Sequence, residues 1–387
     1  MENNKKKILF CATVDYHFKA FHLPYLKWFK EQGWEVHVAA EGDIELPFVC
    51  KKYNIPIQRT PLSLKNFTAY KELKKIIDQN NYQIIHCHTP MGGVLGRLAA
   101  RTARKNGTKV IYTAHGFHFC KGAPLTNWLL YYPIERLLAS STDCLITINS
   151  EDYELAKRHQ FKAGSIEHVH GVGVDLDKFR PVDKIRRNVL RRIDDFNPKD
   201  IIMFYAAEIN KNKNQQFLIK ALSIIKDDIP NVKLLLAGDG ILLEECRLLA
   251  LKLGLLNQVE FLGLRNDIDM LLKISDIAVA SSLREGLPVN VMEAMACGLP
   301  ILATDNRGHR ELVSNNENGW VLHPDDIVGF GEKLKELAMN EYLRNRLGKV
   351  SRTLMESTYG IDNVLDEKIA IYTRYMNAEE ERKWAVH

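Results

Sequence analysis

The fold of this chain is indicated most clearly by the stretch Ser281-Ser282-Leu283-Arg284-Glu285-Gly286-Leu287-Pro288-Val289-Asn290-Val291-Met292-Glu293-Ala294-Met295-Ala296-Cys297-Gly298-Leu299-Pro300. The apolar run before it predicts a strand, its glycine-containing centre predicts a tight loop, and residues 289–296 predict a helix. A helix that begins directly after such a loop presents unpaired backbone N–H groups and a partial positive charge at its first turn. The stretch therefore predicts a strand–loop–helix unit that suits a bound diphosphate.

The same alternation of short apolar runs and amphipathic stretches recurs along the chain. We expect strands at residues 7–13, 35–40, 83–87, 109–113, 144–148, 201–206, 233–237, 259–262, 277–280 and 300–304. We expect helices near residues 22–32, 70–79, 91–105, 127–140, 214–226, 242–253, 268–274 and 289–296. Strands that alternate with helices form doubly wound parallel sheets, so the predicted fold class is α/β.

A break in this alternation divides the chain near its middle. Residues 171–197 begin with Gly171-Val172-Gly173 and continue into a charged stretch, which we interpret as a linker. A length of 387 residues suits two domains, at roughly 100–200 residues each. We expect one domain at 1–180, a second at 181–365, and a C-terminal helix of about 366–387 that packs back on the first. Because ligands bind outside the carboxyl ends of parallel strands, the site is expected in a cleft between the domains.

The composition is that of an ordinary globular protein, with 46% hydrophobic and 26% charged residues. The apolar run 8–14 is too short for a signal peptide, and no stretch approaches the ~20 apolar residues of a membrane span. The seven cysteines are odd in number and scattered, without a C-x-x-C pair. This usage predicts reduced thiols in a cytosolic protein.

The net charge of +5 is unevenly distributed. Residues 1–180 contain 25 Lys and Arg against 17 Asp and Glu, or +8, whereas the remaining 28 against 31 give −3. A basic first half indicates an anionic partner, for which a membrane surface, a phosphate-bearing substrate and nucleic acid are candidates.

Basic and aromatic residues in this half indicate which partner to prefer. The basic residues share one face of the helix expected at 91–105, and they are Arg97, Arg101, Arg104 and Lys105. The aromatic residues follow Lys121, and they are Trp128, Tyr131 and Tyr132. Basic charge beside interfacial aromatics suits a peripheral contact with an anionic membrane, although a solvated helix face beside core aromatics gives the same pattern. We expect the membrane contact and no nucleic acid.

Two carboxylates in the opening stretch are candidates for sugar binding. Glu285 lies in the loop and Glu293 lies two helical turns further on. At this spacing, the pair can accept hydrogen bonds from sugar and ribose hydroxyls on either side of a bound diphosphate. A bare pair of this kind would more often be a first-turn acid and a solvated Glu, but the flanking residues favour the binding interpretation.

Further segments of the chain carry a resemblance to a known family. They are TAHGFHF (113–119), CKGAP (120–124), NWLLYYPIE (127–135), DCLITIN (143–149) and TDNRGHRE (304–311). Together with the E-x7-E pattern of Glu285 and Glu293, they resemble the family 4 retaining glycosyltransferases. These have the GT-B fold, two Rossmann-like domains that face a cleft. The similarity covers nearly the whole chain and is greatest to enzymes that extend lipid-linked oligosaccharides for exopolysaccharide, capsule or bacterial N-glycans.

The resemblance implies roles for the residues of the donor site. Glu285 would contact the hydroxyls of the donor sugar and Glu293 those of the ribose, while the backbone N–H groups of Gly286 and Leu287 hold the diphosphate. Lys213 matches the family lysine that binds the donor phosphate, and a lysine suits that task as a point charge.

The expected donor site departs from the family at one position. Many members carry an Arg five residues before the lysine, where this chain has Glu208. A carboxylate there repels a diphosphate unless it pairs with Lys213 or turns away. Arg284 or Arg307 could then supply the second cation. Arg265, in the loop after the strand at 259–262, is expected at the uracil, although a plain turn is the alternative.

The first domain is expected to contribute three histidines and an acid. By resemblance, His115 lies near the donor sugar, where an imidazole can stabilise developing charge by hydrogen bonding. The alternative is a structural His in a loop. Many relatives have Gly-Gly after the first strand, whereas this chain has side chains there, so Asp15 and His17 are expected to shape the acceptor site. His118 is a further acceptor-site candidate.

His86-Cys87-His88 resembles a metal-binding sequence. In a strand, His86 and His88 share one face and Cys87 points away. Two histidines without a third ligand make a poor site, and the resemblance implies catalysis without a divalent metal or any other cofactor.

The predicted function is retaining transfer of an N-acetylhexosamine from a UDP-sugar to an undecaprenyl-diphosphate-linked saccharide at the inner face of the plasma membrane. Two alternatives remain open. A UDP-N-acetylglucosamine 2-epimerase has the same architecture but releases free products and is not expected to have this E-x7-E loop. A non-catalytic UDP-sugar sensor would bind the donor and show no turnover.

Overall fold

The structure, a computed structural model, describes the backbone of residues 5–384 and the side chains of residues 5–377. The strands are β1 (Lys7–Val14), β2 (Glu35–Glu41), β3 (Lys51–Asn54), β4 (Ile84–His88), β5 (Lys109–Ala114), β6 (Cys144–Thr147), β7 (Ser165–His168), β8 (Ile201–Ala206), β9 (Val232–Ala237), β10 (Val259–Gly263), β11 (Ile277–Ala280), β12 (Ile301–Thr304) and β13 (Gly319–Leu322).

The helices are α1 (Tyr16–Phe21), α2 (Leu23–Glu31), α3 (Lys65–Asn80), α4 (Pro90–Ala99), α5 (Arg101–Lys105), α6 (Leu125–Ala139), α7 (Ser150–Arg158), α8 (Lys184–Ile193), α9 (Gln215–Ile225), α10 (Leu243–Lys252), α11 (Ile268–Ile274), α12 (Val289–Ala296), α13 (Arg307–Leu312), α14 (Ile327–Met339), α15 (Glu341–Leu354) and α16 (Ile361–Trp384). A π-helical turn, Met355–Tyr359, joins α15 to the residues before α16.

The first sheet has the strand order β3-β2-β1-β4-β5-β6-β7, and its pairings are parallel. Both faces are buried, so its strands are continuous apolar runs. In β1, Ile8 and Phe10 pack in one core and Leu9 and Cys11 in another, on the opposite face. The strand order reverses between β1 and β4, and a crevice at such a switch point is where α/β proteins bind ligands.

The second sheet has the order β10-β9-β8-β11-β12-β13, again with parallel pairings. Its switch point lies between β8 and β11. Strand β11 leads directly into the loop and helix of residues 281–300, the stretch that indicated the fold. The two doubly wound parallel sheets therefore confirm the predicted fold class.

The chain divides into two compact units. One unit extends to Val172 and takes up the chain again from Val364, and the other comprises Gly173–Asn363. From the sequence, the boundary between the first and second domains was expected at residue 180. Its linker interpretation of residues 171–197 is wrong for the charged part, because helix α8 lies there and belongs to the second unit. The Arg191 side chain of α8 is buried and donates to the carboxylate of Asp276 at 2.6 Å.

Helix α16 contributes to the first unit rather than to the unit that precedes it in sequence. Tyr372 packs in the core with Phe29, and its hydroxyl lies 2.7 Å from Nδ1 of His86. The Tyr375 hydroxyl donates to the carbonyl oxygen of Asp143 at 3.0 Å. The helix expected at about 366–387 thus begins at Ile361, and residues 385–387 lie outside the described part of the chain.

The predicted basic face is wrong for Arg97 and Arg104, whereas Arg101 and Lys105 are exposed as expected. The continuous helix expected at 91–105 is interrupted after Ala99, and Arg97 is only 1% exposed. Its guanidinium donates to Glu135 at 2.7 Å and lies 3.8 Å from the centre of the Tyr112 ring. Arg104 pairs with Asp143 at 3.0 Å. The aromatics expected beside this face, Trp128, Tyr131 and Tyr132, are half-buried against the first-unit core.

Two other sequence predictions concern the membrane and the cysteines. Across the described residues, the helices are either too short or too polar to cross a bilayer. All seven cysteines lie in this part of the chain and carry free thiols, of which only that of Cys50 is exposed.

Candidate active site

The loop between β11 and α12 is fastened to the loop between β8 and α9. The Ser281 hydroxyl donates to the carbonyl oxygen of Lys213 at 2.6 Å. The backbone N–H of Leu283 donates to the carbonyl oxygen of Asn212 at 2.8 Å. The Asn212 amide in turn donates to the carbonyl oxygen of Arg284 at 3.1 Å. The two loops at the switch point of the second sheet therefore form one connected surface.

Lys213 and Glu285 meet on this surface. Nζ of Lys213 lies 2.5 Å from Oε1 of Glu285, and the two side chains are 23% and 15% exposed. Such a charge-assisted hydrogen bond orients both groups, while the remaining exposure leaves them accessible to a ligand. Glu208 is exposed, and in the described residues Lys213 pairs with Glu285 rather than with Glu208.

The start of α12 follows directly on Glu285. Pro288 occupies the N-cap position, where it offers no side-chain acceptor to the first-turn N–H groups. Gly286 is half-buried and Leu287 is buried beside this helix start. The positive end of the helix therefore lies next to the lysine and carboxylate pair, an arrangement that suits an anion.

Of the two arginines considered for the second cation, Arg307 is held closer to the loop. Its Nε donates to the carbonyl oxygen of Glu285 at 3.1 Å. The Arg284 side chain is exposed, although its carbonyl oxygen is fixed by Asn212. Arg307 also begins α13, whose N-cap Asn306 accepts from the N–H of His309.

Gly308 is a part of this site to which the sequence analysis assigned no role. A Cβ atom at this position would lie 2.8 Å from Cβ of Glu285, 2.9 Å from Cδ of Pro288 and 3.0 Å from the carbonyl oxygen of Gly286. These distances are too short for a side chain, so α13 approaches the loop closely only because residue 308 is glycine. The TDNRGHRE segment contained the signal, a glycine in the first turn of a helix.

Glu293 lies in α12, two helical turns after Glu285. Burial raises the pKa of its carboxyl to about 7, with Asp269 acting in the same direction and Lys178 opposing both. A half-buried carboxyl with this pKa changes its charge near neutral pH. This is a common property of binding-site acids, although buried structural acids share it.

Arg265 lies after β10, as expected for a residue at the start of a loop, but it is already engaged. Its guanidinium makes two hydrogen bonds to Asp267, at 2.8 and 2.5 Å, and both side chains are exposed. Its role at a nucleobase stays a prediction.

Four histidines of the first unit converge at the switch point of its sheet. His17 follows β1, His22 precedes α2, His88 ends β4 and His115 follows β5. Nε2 of His17 lies 2.9 Å from Nε2 of His22, and Nδ1 of His88 lies 3.3 Å from Nε2 of His115. We call these four residues the histidine cluster.

Burial sets the electrostatics of the histidine cluster. It lowers the pKa of His17 to about 4, and it lowers the pKa values of His22, His88 and His115 well below the ordinary histidine range. Neighbouring imidazoles act in the same direction on His22, His88 and His115, and Lys368 does so on His17. The four rings are therefore neutral near pH 7, where each has one ring nitrogen with a lone pair.

His86 stands apart from this cluster. Its Nδ1 and Nε2 are hydrogen-bonded to Tyr372 at 2.7 Å and to Thr113 at 2.8 Å. In the sequence, His86 and His88 stand out as a pair, whereas nothing there places His17, His22 and His115 beside His88. Only the fold brings these loops together, since they are separated by up to about a hundred residues in the sequence.

The two remaining predicted acceptor residues have different surroundings. Asp15 is buried, forms an ion pair of 2.5 Å with Lys52 and accepts from the N–H of Ile44 at 2.7 Å. It therefore holds the loop after β2 rather than presenting its carboxylate to solvent. His118 is exposed, and its ring lies 4.6 Å from that of Tyr131.

An apolar cavity of about 750 Å³ opens beside His115. Residues from α3, the segment before it, α4 and α6 line it, among them Phe67, Met91, Leu95 and Ile134. A cavity of this size with mainly apolar walls suits a hydrophobic ligand.

Exposed leucines occur on the elements that line this cavity. Leu125 and Leu129 of α6 are 80% and 78% exposed, and Leu62 and Leu64 before α3 are also exposed. Clustered apolar side chains of this kind mark an interaction surface. The aromatics of α6 were recognised in the sequence, but its exposed leucines were not. Because the helix is apolar on several faces, its sequence does not show which face is exposed.

Comparison with known proteins identifies the family. The profile of glycosyl transferases group 1 matches residues 186–354, and that of glycosyl transferase 4-like proteins matches residues 7–149. EpsD of Bacillus subtilis (strain 168), which is named as a glycosyltransferase, is 50% identical over 98% of this chain and 99% of its own length. The Escherichia coli UDP-Gal:alpha-D-GlcNAc-diphosphoundecaprenol alpha-1,3-galactosyltransferase is 28% identical over 81% of this chain and 82% of that enzyme.

Solved structures show the same fold. HepE (Alr3699) of Anabaena, crystallised with UDP and glucose, is similar with a TM-score of 0.78 at 19% identity, covering 95% of this chain and all of that one. This chain therefore belongs to the GT4-like glycosyltransferases and has their GT-B fold, as the two family profiles, the 50% identity to EpsD and the structural similarity together show.

Proposed function

We propose that this chain transfers an N-acetylhexosamine from a UDP-sugar, with retention, to an undecaprenyl-diphosphate-linked saccharide in exopolysaccharide or capsule synthesis. The observation that carries the proposal is the 2.5 Å contact between Lys213 and Glu285 beside the start of α12. A cation, a carboxylate and a helix N-terminus in one place suit a diphosphate that bears a sugar on one side.

In the proposed reaction, the ammonium of Lys213 turns from Glu285 to the incoming diphosphate. Glu285 then accepts hydrogen bonds from sugar hydroxyls, and Glu293 accepts them from the ribose. His115 is proposed to hydrogen-bond the donor sugar. Arg307 is the better candidate for the second cation, because its guanidinium is already held at the Glu285 loop.

The proposed step is a displacement on one face of the sugar. The bond between the anomeric carbon and the UDP oxygen breaks as the acceptor hydroxyl oxygen bonds to the same carbon. The hydroxyl proton passes to the departing phosphate oxygen. Lys213 and the helix N-terminus stabilise the charge on that phosphate, so the proposed step uses no metal or cofactor.

The apolar cavity beside His115 supports the lipid-linked nature of the acceptor. Its walls suit part of a polyprenyl chain, and the leucines around it suit the edge of a bilayer. The name of the Escherichia coli relative specifies a diphosphoundecaprenol acceptor, which is consistent with this assignment. We therefore propose peripheral association with the inner face of the plasma membrane through the first unit.

The proposal is tested by incubating the protein with a panel of labelled UDP-sugars and lipid-linked saccharide acceptors. We expect transfer from UDP-N-acetylglucosamine or UDP-N-acetylgalactosamine, with the anomeric configuration kept in the product. Donor binding without transfer to any acceptor would favour a sensor. Conversion of the donor sugar without an acceptor would favour an epimerase.

Membrane association is tested separately by vesicle flotation. Replacing Leu125 and Leu129 by Gln should reduce binding to vesicles that contain anionic lipid. The matched control replaces Leu248 and Leu251, exposed leucines on α10 of the second unit, by Gln. Equal binding by the α6 and α10 variants would exclude α6 as the contact.

A further inference from the structure

We propose that the histidine cluster, His17, His22, His88 and His115, binds one divalent ion of the late first-row transition metals, such as Zn²⁺. Each of the four residues offers a ring nitrogen, and these four atoms lie within 4.8 Å of one another. The proposed transferase step assigns no metal to this position.

The distances between the ring nitrogens suit a tetrahedral ion. With Zn–N bonds of about 2.0–2.1 Å, neighbouring ligand nitrogens are separated by roughly 3.3 Å. The nitrogens of His88 and His115 already stand 3.3 Å apart, and those of His17 and His22 stand 2.9 Å apart. Small ring rotations would therefore bring four nitrogens around one ion.

The chemistry of the donors selects the class of metal. Imidazole nitrogen suits Zn²⁺, Cu²⁺, Ni²⁺ and Co²⁺, whereas Mg²⁺ and Ca²⁺ require oxygen ligands. The neutral imidazole ring is the form that binds a metal.

Two rings of the cluster also have an unsatisfied nitrogen, which is the ring nitrogen opposite to the one that contacts its neighbour in the cluster. In the described part of the chain, Nδ1 of His22 and Nε2 of His88 are buried without a hydrogen-bond partner. Such atoms are rare in folded proteins and commonly mark a bound water or ion. A neutral imidazole has one N–H donor and one lone-pair nitrogen, so His22 and His88 each leave one of these two groups unused.

One buried amine acts on the cluster. Lys368 of α16 is the positive group that acts on these histidines. Burial lowers its pKa to about 7, and its amine has no hydrogen-bond partner among the described residues.

A bound ion would change what His115 can do. Four nitrogen ligands close a tetrahedral site and leave no open position for substrate, which is the pattern of structural rather than catalytic zinc. A metal on the His115 ring would compete with a sugar hydroxyl for that ring, so the ion would act as an inhibitor. This consequence rests on the proposed function, whereas the binding of the ion does not.

The test measures metal binding by the full chain without nucleotide or acceptor. All proteins carry Cys50→Ser, because Cys50 is the exposed thiol and could bind metal itself. After treatment with chelator, the protein is titrated with ZnCl₂ by calorimetry and with CoCl₂ by visible absorption. We expect one ion per chain and the intense bands of tetrahedral Co²⁺.

Two variants and one control locate the site. His17→Ala and His22→Gln should each weaken Zn²⁺ binding at least tenfold and abolish the tetrahedral Co²⁺ bands. The control His37→Gln replaces another buried histidine of the first unit, whose ring is hydrogen-bonded to Tyr82, and should bind as the parent does. Melting curves establish that each variant is folded, and His17, being half-buried, is the more tolerant position.

The proposal is overturned if the folded parent binds no Zn²⁺, if its Co²⁺ complex is octahedral, or if both cluster variants bind as tightly as the parent. Because no sugar nucleotide is present, none of these outcomes depends on whether the chain is a transferase. Conversely, a failed transfer assay with intact metal binding would contradict only the proposed function.

Discussion

The ion pair between Lys213 and Glu285 connects two residues that the sequence placed in one site for different reasons. Lys213 was assigned to a phosphate and Glu285 to a sugar, and they lie 72 positions apart in the chain. The structure brings their charged ends together at 2.5 Å. Each charged group holds the other in place. A donor that binds between them would have to separate the pair and would itself neutralise each charge.

Replacing Lys213 by Gln should weaken UDP-sugar binding by on the order of ten- to a hundredfold, because a hydrogen bond to a charged group contributes about 1.5–3 kcal/mol. Calorimetric titration with UDP measures this. The matched control is Lys211→Gln, an exposed lysine two positions earlier. Comparable weakening in both variants would show that general charge, rather than the position of Lys213, governs binding.

Glu293 should make the stability of the second unit depend on pH. The pKa of its carboxyl is raised to about 7 in the folded state, above the ordinary 4.5. Its contribution to the free energy of unfolding is therefore fully present below pH 4.5 and is lost as the pH rises through 7. Between these values the contribution falls by at most about 1.4 kcal/mol per pH unit.

Glu293→Gln should remove this slope, so that the variant gains stability relative to the parent as the pH rises from 5 to 8. Urea unfolding at both pH values measures the difference. Glu244→Gln, an exposed acid on α10, serves as the control and should leave the slope unchanged. A parent slope that persists in Glu293→Gln would contradict the assignment.

At the scale of elements, the close approach of α13 to the loop before α12 positions the candidate donor site. Gly308→Ala would place a methyl group within 3.0 Å of Glu285, Pro288 and Gly286. Since backbone and ring atoms cannot easily move away, we expect the loop to shift and UDP affinity to fall at least tenfold. Binding of UDP by fluorescence or calorimetry measures the effect.

The control for Gly308→Ala is Gly331→Ala in α14, where a new methyl group would have its nearest neighbours at 3.2–3.3 Å, against α9. This variant tests whether a tight glycine of the same unit affects UDP binding through stability alone. If both variants lose UDP affinity equally, the shape of the Glu285 loop is not what limits binding.

The elements themselves were largely predictable, because apolar runs and amphipathic stretches have distinct periods. Helix α8 was missed since its sequence is dominated by charge, and its burial depends on Arg191 meeting Asp276, which is 85 positions away. The break after Ala99 and the burial of Arg97 were missed for the same reason, because Glu135 lies 38 positions further on. Local pattern does not reveal a partner that is distant in sequence.

The candidate site was predictable to the extent that it is local. Gly286, Glu285 and Glu293 belong to one loop and helix, and their spacing together with the flanking residues indicated a binding role. The histidine cluster, in contrast, depends on the order of the strands, since β1, β4 and β5 bring its members to one edge of the sheet. The strand order follows from contacts across the whole unit, and no short segment of the sequence determines it.

At the scale of the whole molecule, α16 is the element whose loss should matter most to the first unit. Tyr372 packs against Trp28 and Phe29 and bonds to His86. Tyr372→Ala removes a buried aromatic side chain and should destabilise the first unit by about 3–5 kcal/mol. Calorimetric melting should show the transition of that unit at a lower temperature, with that of the second unit little changed.

The control for Tyr372→Ala is Tyr342→Ala, an exposed tyrosine on α15 of the second unit, which should leave both transitions in place. A parallel shift of both transitions in Tyr372→Ala would instead mean that the two units unfold together.

The position of α16 also determines the order in which the protein can be completed during synthesis. Val364, Ile371 and Tyr372 belong to the core built on β1, yet the ribosome makes them only after the whole of residues 173–363. The second unit can therefore finish folding while the first still exposes one apolar face. A chaperone that shields apolar surface on nascent chains would find that face open until the last helix emerges.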